Sequence, residues 1–458
     1  MKITLEDIFS LSTAVIYNPD LYKSVTSVSI DTRTIKNNSI YVAIKGKSFD
    51  GHNYIDEAIR KGAKAVVVNN RKLTQLENLN IPIISVRNTI TAYGELANVW
   101  RNKFTGKVIS ITGSNGKTTT KEMIAHLLSA KYKVHKTLAN NNNNIGVPLT
   151  ILSTPPDTDF MVLEHGSNHI GEIEYTAKIA QPDYAIITNI GSSHLEFLHT
   201  KEKVLEEKIA LFNNVKNDGS VFVNNDDKLL TRKKKNYKNV ITFGSKGKAN
   251  IHQALLSFTD DAMAKIKISD GKRNLNFTLP ILGNANTQNI LAAVSIALKV
   301  GLTKKEILNS IKTIKEVHGR LELIENKNFS LIDDTYNANP ESVKNALAVL
   351  SKFKKRKNKI LILGDMFELG ENAKWHHEQL ASSIVKAKIN LILTIGKNTR
   401  HLSNKINSSK ISKHHFSNRQ KMNDFIRNMA VKDSVIVVKG SRGMKMEEFV
   451  EILKRKAA

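Results

Sequence analysis

Short apolar runs alternate with longer amphipathic stretches along the chain, and the period of each run assigns its element. Runs at 25–30, 39–44, 65–68 and 83–86 are short and rich in β-branched residues, so they read as strands. The apolar spacing over 54–61 reads as a helix. A second series opens with the run 107–112 and continues at 160–163, 184–188 and 220–223, with helical periodicity between the runs. A third series has strand runs at 330–332, 360–363, 391–394 and 435–438, with helices opening after Pro340 and near Ala373. Strands that alternate with helices predict mainly parallel sheets covered on both faces. The expected fold class is therefore α/β in three domains. These are a small domain at 1–105, a central domain at 106–318 and a Rossmann-like domain at 319–458. No internal repeat of about 20–50 residues is visible.

Composition narrows the possibilities. A chain of 458 residues suits this division, at roughly 100–200 residues per domain. No apolar run reaches the ~18 residues of a membrane-spanning helix. Glu6 and Asp7 fall where a signal peptide needs apolar residues, so a cytoplasmic protein without membrane insertion is expected. The chain has no cysteine, which excludes disulfides, zinc–thiolate sites and thiol nucleophiles. Any metal must be held by oxygen or imidazole.

The net charge is +27, from 69 Lys+Arg against 42 Asp+Glu. Such a charge raises a nucleic-acid or membrane-surface partner, or a polyanionic small substrate. Aromatics are only 6% and are not interleaved with the basic clusters at 232–235 and 354–357, which fall at loops or helix ends. A base-stacking platform needs that interleaving, so no nucleic-acid partner is expected.

The strongest chemical signal is Ile111-Thr112-Gly113-Ser114-Asn115-Gly116-Lys117-Thr118-Thr119-Thr120. An apolar strand runs into a glycine loop, and the loop runs into a helix opened by Lys-Thr. Glycines let backbone N–H groups turn inward around phosphate oxygens, and the helix N-terminus adds partial positive charge. Lys117 reaches the terminal phosphates and Thr118 offers a hydroxyl to Mg2+. The plainer reading is an ordinary strand-to-helix turn. The loop is two residues shorter than the usual phosphate-loop spacing. It implies a nucleoside triphosphate and Mg2+, without choosing among kinase, hydrolase and ligase.

Other candidates lie just past strand ends, where parallel sheets place ligands. Glu164 is placed to reach a metal at Thr118; its plainer reading is a helix cap or surface acid. His194, in a Gly/Ser loop, is a candidate for a second metal ion or simply a hydrogen-bonding residue. Lys208 sits beside Glu206 and Glu207 and reads as an exposed helix lysine. The run from Asp333-Asp334 to Asn339-Pro340 suits a ribose site or a helix cap. Lys439-Gly440-Ser441-Arg442 suits a carboxylate or phosphate, or a polar capping loop.

Assembled, these segments resemble the Mur ligase family over essentially the whole chain. The resemblance rests on the phosphate loop in its short form and on Asp31-Thr32-Arg33, Tyr41-Val42-Ala43-Ile44-Lys45-Gly46 and Asp50-Gly51-His52. It rests also on Asn140 to Asn144 with Ile145-Gly146-Val147-Pro148-Leu149-Thr150, and on Leu363-Gly364-Asp365-Met366 with Glu368-Leu369-Gly370. The segments at 333–340, 363–370 and 439–442 resemble the branch that adds D-alanyl-D-alanine. Ala285, His165 and Leu198-His199-Thr200 depart from the family pattern.

The resemblance implies a monomeric, ATP- and Mg2+-dependent peptide ligase of peptidoglycan precursor synthesis. Its substrates would be UDP-N-acetylmuramoyl-tripeptide and D-alanyl-D-alanine. Gly113, Ser114, Asn115, Gly116, Lys117, Thr118 and Thr119 would cradle the phosphates. Asn289 would meet adenine, Arg320 the phosphates and Asp334 the ribose. Thr118, Glu164, His194 and Lys208, the last as a carbamate, would hold metal, and Lys117, His194, Lys208 and Arg320 would serve catalysis. Thr32, Arg33, Gly46, Asp50, His52, Asn143, Asn337, Lys439, Ser441 and Arg442 would bind the substrates. Rival readings are a ligase adding diaminopimelate or lysine, a folate polyglutamate synthase, which lacks the first domain, and a nucleic-acid-stimulated ATPase.

Overall fold

The computed structural model of the protein describes residues 2–76, 79–193 and 195–456. Their strands fall into three sheets, one for each series read from the sequence. The first has five strands in the order Val15–Tyr17, Ile83–Val86, Ala63–Asn69, Ser39–Val42 and Ser27–Ser29. Only its outer pair, Val15–Tyr17 with Ile83–Val86, is antiparallel. The run at 25–30 narrows to Ser27–Ser29 because Val25 pairs instead with Ile3 in an isolated bridge.

The central sheet has nine strands. Its parallel part runs Val240–Gly244, Ser220–Asn224, Tyr184–Ile187, Lys107–Thr112, Phe160–Glu164 and Val134–Lys136. Val108, Ile109 and Ile111 are fully buried, as a strand covered on both faces requires. The run at 160–163 extends one residue, so Glu164 is the strand's last residue, with its N–H held by Thr137 Oγ1 at 3.0 Å.

Three antiparallel strands, Ile251–Phe258, Met263–Ser269 and Asn274–Leu282, continue this sheet and are not among the sequence-read elements. Their pattern is period two: Ala264, Ile266 and Ile268 are buried, while Lys265 and Lys267 face solvent. Ala262, at a turn of this meander, and Leu282, at the end of its last strand, belong to the core of the third domain.

The third sheet has six strands, ordered Glu322–Glu325, Phe329–Asp334, Ser434–Lys439, Asn358–Gly364, Leu391–Ile395 and Ser412–Phe416, with only the first pair antiparallel. Alternate residues feed two cores. Leu361, Leu363, Val435 and Val437 pack under helix Pro340–Lys352, and Ile360, Ile362, Ile436 and Val438 pack under helix Glu447–Arg455. This is a doubly wound α/β layer.

Helix Thr89–Lys103, capped by Asn88, belongs to the first two units at once. Tyr93, Leu96 and Trp100 share one core with Ile84 and Val86 of the first sheet and with Val147, Met161 and Ile179 of the centre. Arg101 on this helix is buried and donates to the carbonyls of Ala180 (2.7 Å) and Gln181 (2.9 Å) and to Asp183 (3.2 Å). Among the described residues, no helix is long and apolar enough to cross a membrane.

Candidate functional site

The strand Lys107–Thr112 delivers its chain to loop 113–116, and Lys117 opens helix Lys117–Leu128. Two positions there require glycine. Gly113 has φ +149°, and an added Cβ would stand 1.9 Å from Thr188 Oγ1; Gly116 has φ +81°, and its Cβ would stand 2.3 Å from Asn289 Oδ1. Asn189 fixes the loop from below, accepting Ser114 N–H on its carbonyl and Asn115 N–H on its side chain, both at 3.0 Å. The N–H groups of the helix's first turn have no acceptor within the helix and point an anion site into the space above.

Lys117 Nζ donates to Gly113 O at 2.7 Å. Burial, joined by the Arg320 cation, pulls its pKa below the usual lysine range despite the nearby Glu164. Thr118 Oγ1 donates to Glu164 Oε1 (3.1 Å) and accepts from Arg320 Nη2 (3.0 Å). Asn142 Nδ2 also donates to Glu164 Oε1, at 2.8 Å. Glu164 is 1% exposed, and its other oxygen, Oε2, is buried without a hydrogen-bond partner among the described residues; Lys121 Nζ lies 3.7 Å away. A buried anionic oxygen with an open lone pair, next to a threonine hydroxyl, is a donor set that fits a hard cation such as Mg2+.

Lys208 departs from its reading as an exposed helix lysine. It is 1% exposed on helix Lys201–Asn213, and among the described residues no group hydrogen-bonds its Nζ. Its neighbouring carboxylates are engaged elsewhere. Glu206 pairs with Lys203 at 2.7 Å, and Glu207 accepts the N–H groups of Gly171 (2.6 Å) and Ile173 (2.8 Å). Burial, with help from the Lys117 cation, lowers the Lys208 pKa to about 7. His194 lies outside the described residues.

The third sheet faces this loop from the other side. Asp334, buried at the end of strand Phe329–Asp334, binds Lys439 Nζ at 2.6 Å and accepts Leu321 N–H at 3.2 Å. Burial raises its pKa even against the pull of Lys439. The polar atoms of Lys439 and Ser441 are used internally. Lys439 also donates to Asn337 O (2.9 Å), and Ser441 Oγ accepts from Phe367 N–H (2.8 Å) and donates to Ala338 O (3.3 Å). Arg442 is exposed, with its guanidinium carbon 5.6 Å from the centre of the Tyr336 ring. Asn339 caps helix Pro340–Lys352 and bridges to Asn115 Oδ1 at 2.8 Å.

These groups enclose a cleft of about 820 Å³. Ser114, Asn115, Gly116, Lys117, Thr118 and Thr119 line it with Asn143, Glu164, Asn289, Arg320, Asp334, Asn337 and Lys439. Asn289 presses on the loop and bonds Thr120 (3.3 Å) and Asn286 (2.9 Å). Asn143 caps its own turn through Ile145 and Gly146 N–H, and it is Asn142 that reaches Glu164. Asn142, Asn339 and Tyr336 lie within runs the sequence singled out, but neither they nor Asn189 were named as candidate site residues. Asn189 and Asn339 carried a signal, each standing at the start of a loop or helix after a strand run.

The candidates of the first domain are not part of this cleft. His52 Nε2 accepts Asn69 N–H at 3.0 Å, so its Nδ1 bears the proton and donates to Asp50 Oδ1 at 2.6 Å. Asp50 is held below the usual carboxylate range by these His52 bonds, against its partial burial. Gly46 N–H bonds Phe49 O at 2.9 Å, Thr32 is buried, and Arg33 is exposed and paired with Asp31 at 2.7 Å.

Three family models match the chain: the Mur ligase family catalytic domain over residues 24–101, the Mur ligase middle domain over 111–297 and the Mur ligase glutamate ligase domain over 319–442. The UDP-N-acetylmuramoyl-tripeptide–D-alanyl-D-alanine ligase of Bacillus subtilis is 34% identical over 99% of this chain and 98% of its own length. A crystal structure of MurF from Acinetobacter baumannii superposes with a TM-score of 0.89 at 26% identity over 99% of each chain. MurF ligase from Thermotoga maritima, solved in complex with ADP, gives a TM-score of 0.84 at 29% identity over 94% of this chain and 98% of that one.

Proposed function

The chain belongs to the Mur ligase family, and on that premise we propose that it joins D-alanyl-D-alanine to UDP-N-acetylmuramoyl-tripeptide with consumption of ATP. The products are the UDP-linked pentapeptide precursor of peptidoglycan, ADP and phosphate. The observation that carries this reading is the contact chain Glu164–Thr118–Arg320, in which a carboxylate, the phosphate-loop hydroxyl and a third-domain cation meet at 3.0–3.1 Å. That arrangement suits a triphosphate end with its metal between two domains.

A terminal carboxylate of the tripeptide attacks the γ-phosphorus, the bond to the β-phosphate oxygen breaks, and an acyl phosphate and ADP result. The amine of D-alanyl-D-alanine then attacks the acyl carbon. A tetrahedral intermediate forms, loses phosphate and a proton, and leaves the amide. Loop N–H groups, Lys117 and Arg320 offset the charge on the transferring phosphoryl group. Thr118 and Glu164, with His194 and carbamylated Lys208, would hold Mg2+, which draws charge from the same oxygens. A lysine with a pKa of about 7 is largely neutral at slightly alkaline pH, and the neutral amine is the form that adds to CO2. Addition forms the N–C bond and releases one proton; with the proton the ammonium loses first, a cation becomes an anionic metal ligand.

Asn289 and Asp334 take the adenine and ribose ends of the nucleotide. Residues 1–105, through Thr32, Arg33, Gly46, Asp50 and His52, take the UDP part. Residues 106–318 bind ATP, and residues 319–458 bring the amine, with Asn143, Asn337 and Arg442 facing the substrates. Closure of the third domain, for which the Asn115–Asn339 bond is a contact, keeps water from the acyl phosphate. The reaction runs in the cytoplasm with the protein as a monomer. Hydroxylamine added with ATP and the UDP-tripeptide, and no dipeptide, should trap the acyl phosphate as a hydroxamate. ADP formation with no hydroxamate contradicts the two-step route.

A further inference from the structure

Arg320 reaches from the third domain into the phosphate cleft, where among the described residues its side chain makes a single hydrogen bond, to Thr118. Its Nε is buried and has no hydrogen-bond partner among the described residues. A long, flexible cation placed so sparingly needs another restraint, because each free rotamer lowers the fraction of time it spends in position. The restraint is a ring. The guanidinium carbon lies 4.0 Å from the centre of the Tyr336 ring, within stacking distance.

The ring itself is fixed by the backbone. Tyr336 N–H donates to Gly319 O at 3.0 Å, and Leu321 N–H donates to Asp334 Oδ1 at 3.2 Å, so the segments on both sides of Arg320 and Tyr336 are tied to each other. Gly319 has φ +69°, and an added Cβ would come within 3.3 Å of Tyr336 N. Among the described residues the Tyr336 hydroxyl makes no hydrogen bond, so the ring face, and not the hydroxyl, does the holding.

We propose that Tyr336 is a positioning residue for phosphoryl transfer: its ring is the platform that holds the Arg320 guanidinium over the phosphate loop. This rests on the reading that Arg320 contacts the ATP phosphates. The stacked face leaves the edge donors of the guanidinium free, and those are the atoms that meet phosphate oxygens. The ring thereby acts on the rate of the chemical step more than on nucleotide affinity.

The test is a double-mutant cycle read by rapid-quench acyl phosphate formation, with the KM for ATP, ADP affinity and the melting temperature measured in parallel. Tyr336→Phe should keep the rate within about twofold, and Tyr336→Leu should lower it about tenfold, with ADP affinity and melting temperature unchanged. In the Arg320→Ala background, Tyr336→Leu should cost nothing further. Losses that multiply in the double variant, or a Tyr336→Leu enzyme as fast as the parent, would overturn the proposal. Should Tyr336→Leu fail to fold, Tyr336→Gln enters the same cycle. An Arg320→Ala enzyme with the parent's rate overturns the phosphate reading itself, and with it the platform, whereas a slow Arg320→Ala beside a fast Tyr336→Leu overturns the platform alone.

Discussion

The phosphate cleft and the N-terminal sheet each gather charged side chains, but they differ in how far those groups are already satisfied. On the sheet, His52 uses both ring nitrogens, Asp50 takes the proton of one, and Arg33 pairs with Asp31. In the cleft, among the described residues, Glu164 Oε2 and Arg320 Nε are buried without a hydrogen-bond partner, with Lys121 Nζ 3.7 Å from the former, and Lys208, outside the cleft lining, is buried with no hydrogen bond to its Nζ among the described residues. Leaving such groups unpaired costs stability. A fold retains them where a ligand completes them. The cleft is therefore the place that leaves polar groups for a ligand to complete, and the sheet cluster is a finished frame.

The largest effect that tests this contrast is expected at Lys117. Lys117→Ala should slow acyl phosphate formation by about a thousandfold or more in a rapid-quench assay while the protein stays folded. Lys208→Met comes next, with a loss of about a hundredfold in steady-state turnover. Its stability should move the other way. The folded pKa of about 7 lies below the ordinary lysine value of 10.5, so between these values the unfolded chain binds the extra proton. Burial of the parent's lysine is thus costliest at and below neutral pH, and the cost fades as pH rises toward the unfolded value. Lys208→Met should be at least as stable as the parent at neutral pH, and chemical denaturation across pH 6–10 checks the sign.

His52→Ala should lose the Asp50 and Asn69 bonds and about 1–3 kcal/mol of stability. It should raise the KM for the UDP substrate while leaving kcat almost unchanged, in contrast to the cleft variants. The smallest expected effect is at His165, which is fully buried between Ser110 and Thr176, at 2.9 Å from each. Burial lowers its pKa to about 3, so from pH 6.5 down to that value the unfolded state takes a proton that the folded state refuses. Stability should fall as pH drops through this window, with no change above it, and His165→Met should flatten that slope in a pH series of thermal melts.

The phosphate loop was legible in the sequence because its chemistry is local: strand, glycines and Lys-Thr lie within ten residues. Strand order and the antiparallel meander at 251–282 were not, because pairing depends on residues distant in the chain and the period-two pattern there is interrupted by bulges at 255–257 and 263–265. Lys208 was misplaced for a related reason. Its neighbours suggested a solvated helix face, and only the packing of helix Lys201–Asn213 against the sheet shows that this face is inward. Asn142 and Tyr336 act through partners at 164 and 320, a relation that no spacing announces.

The most direct test of the central claim is phosphate release from ATP with Mg2+, with UDP-N-acetylmuramoyl-tripeptide and D-alanyl-D-alanine supplied singly and together. Release should require both, with one UDP-pentapeptide formed per phosphate. Release that ignores the two substrates, or rises with RNA or DNA instead, would contradict a ligase.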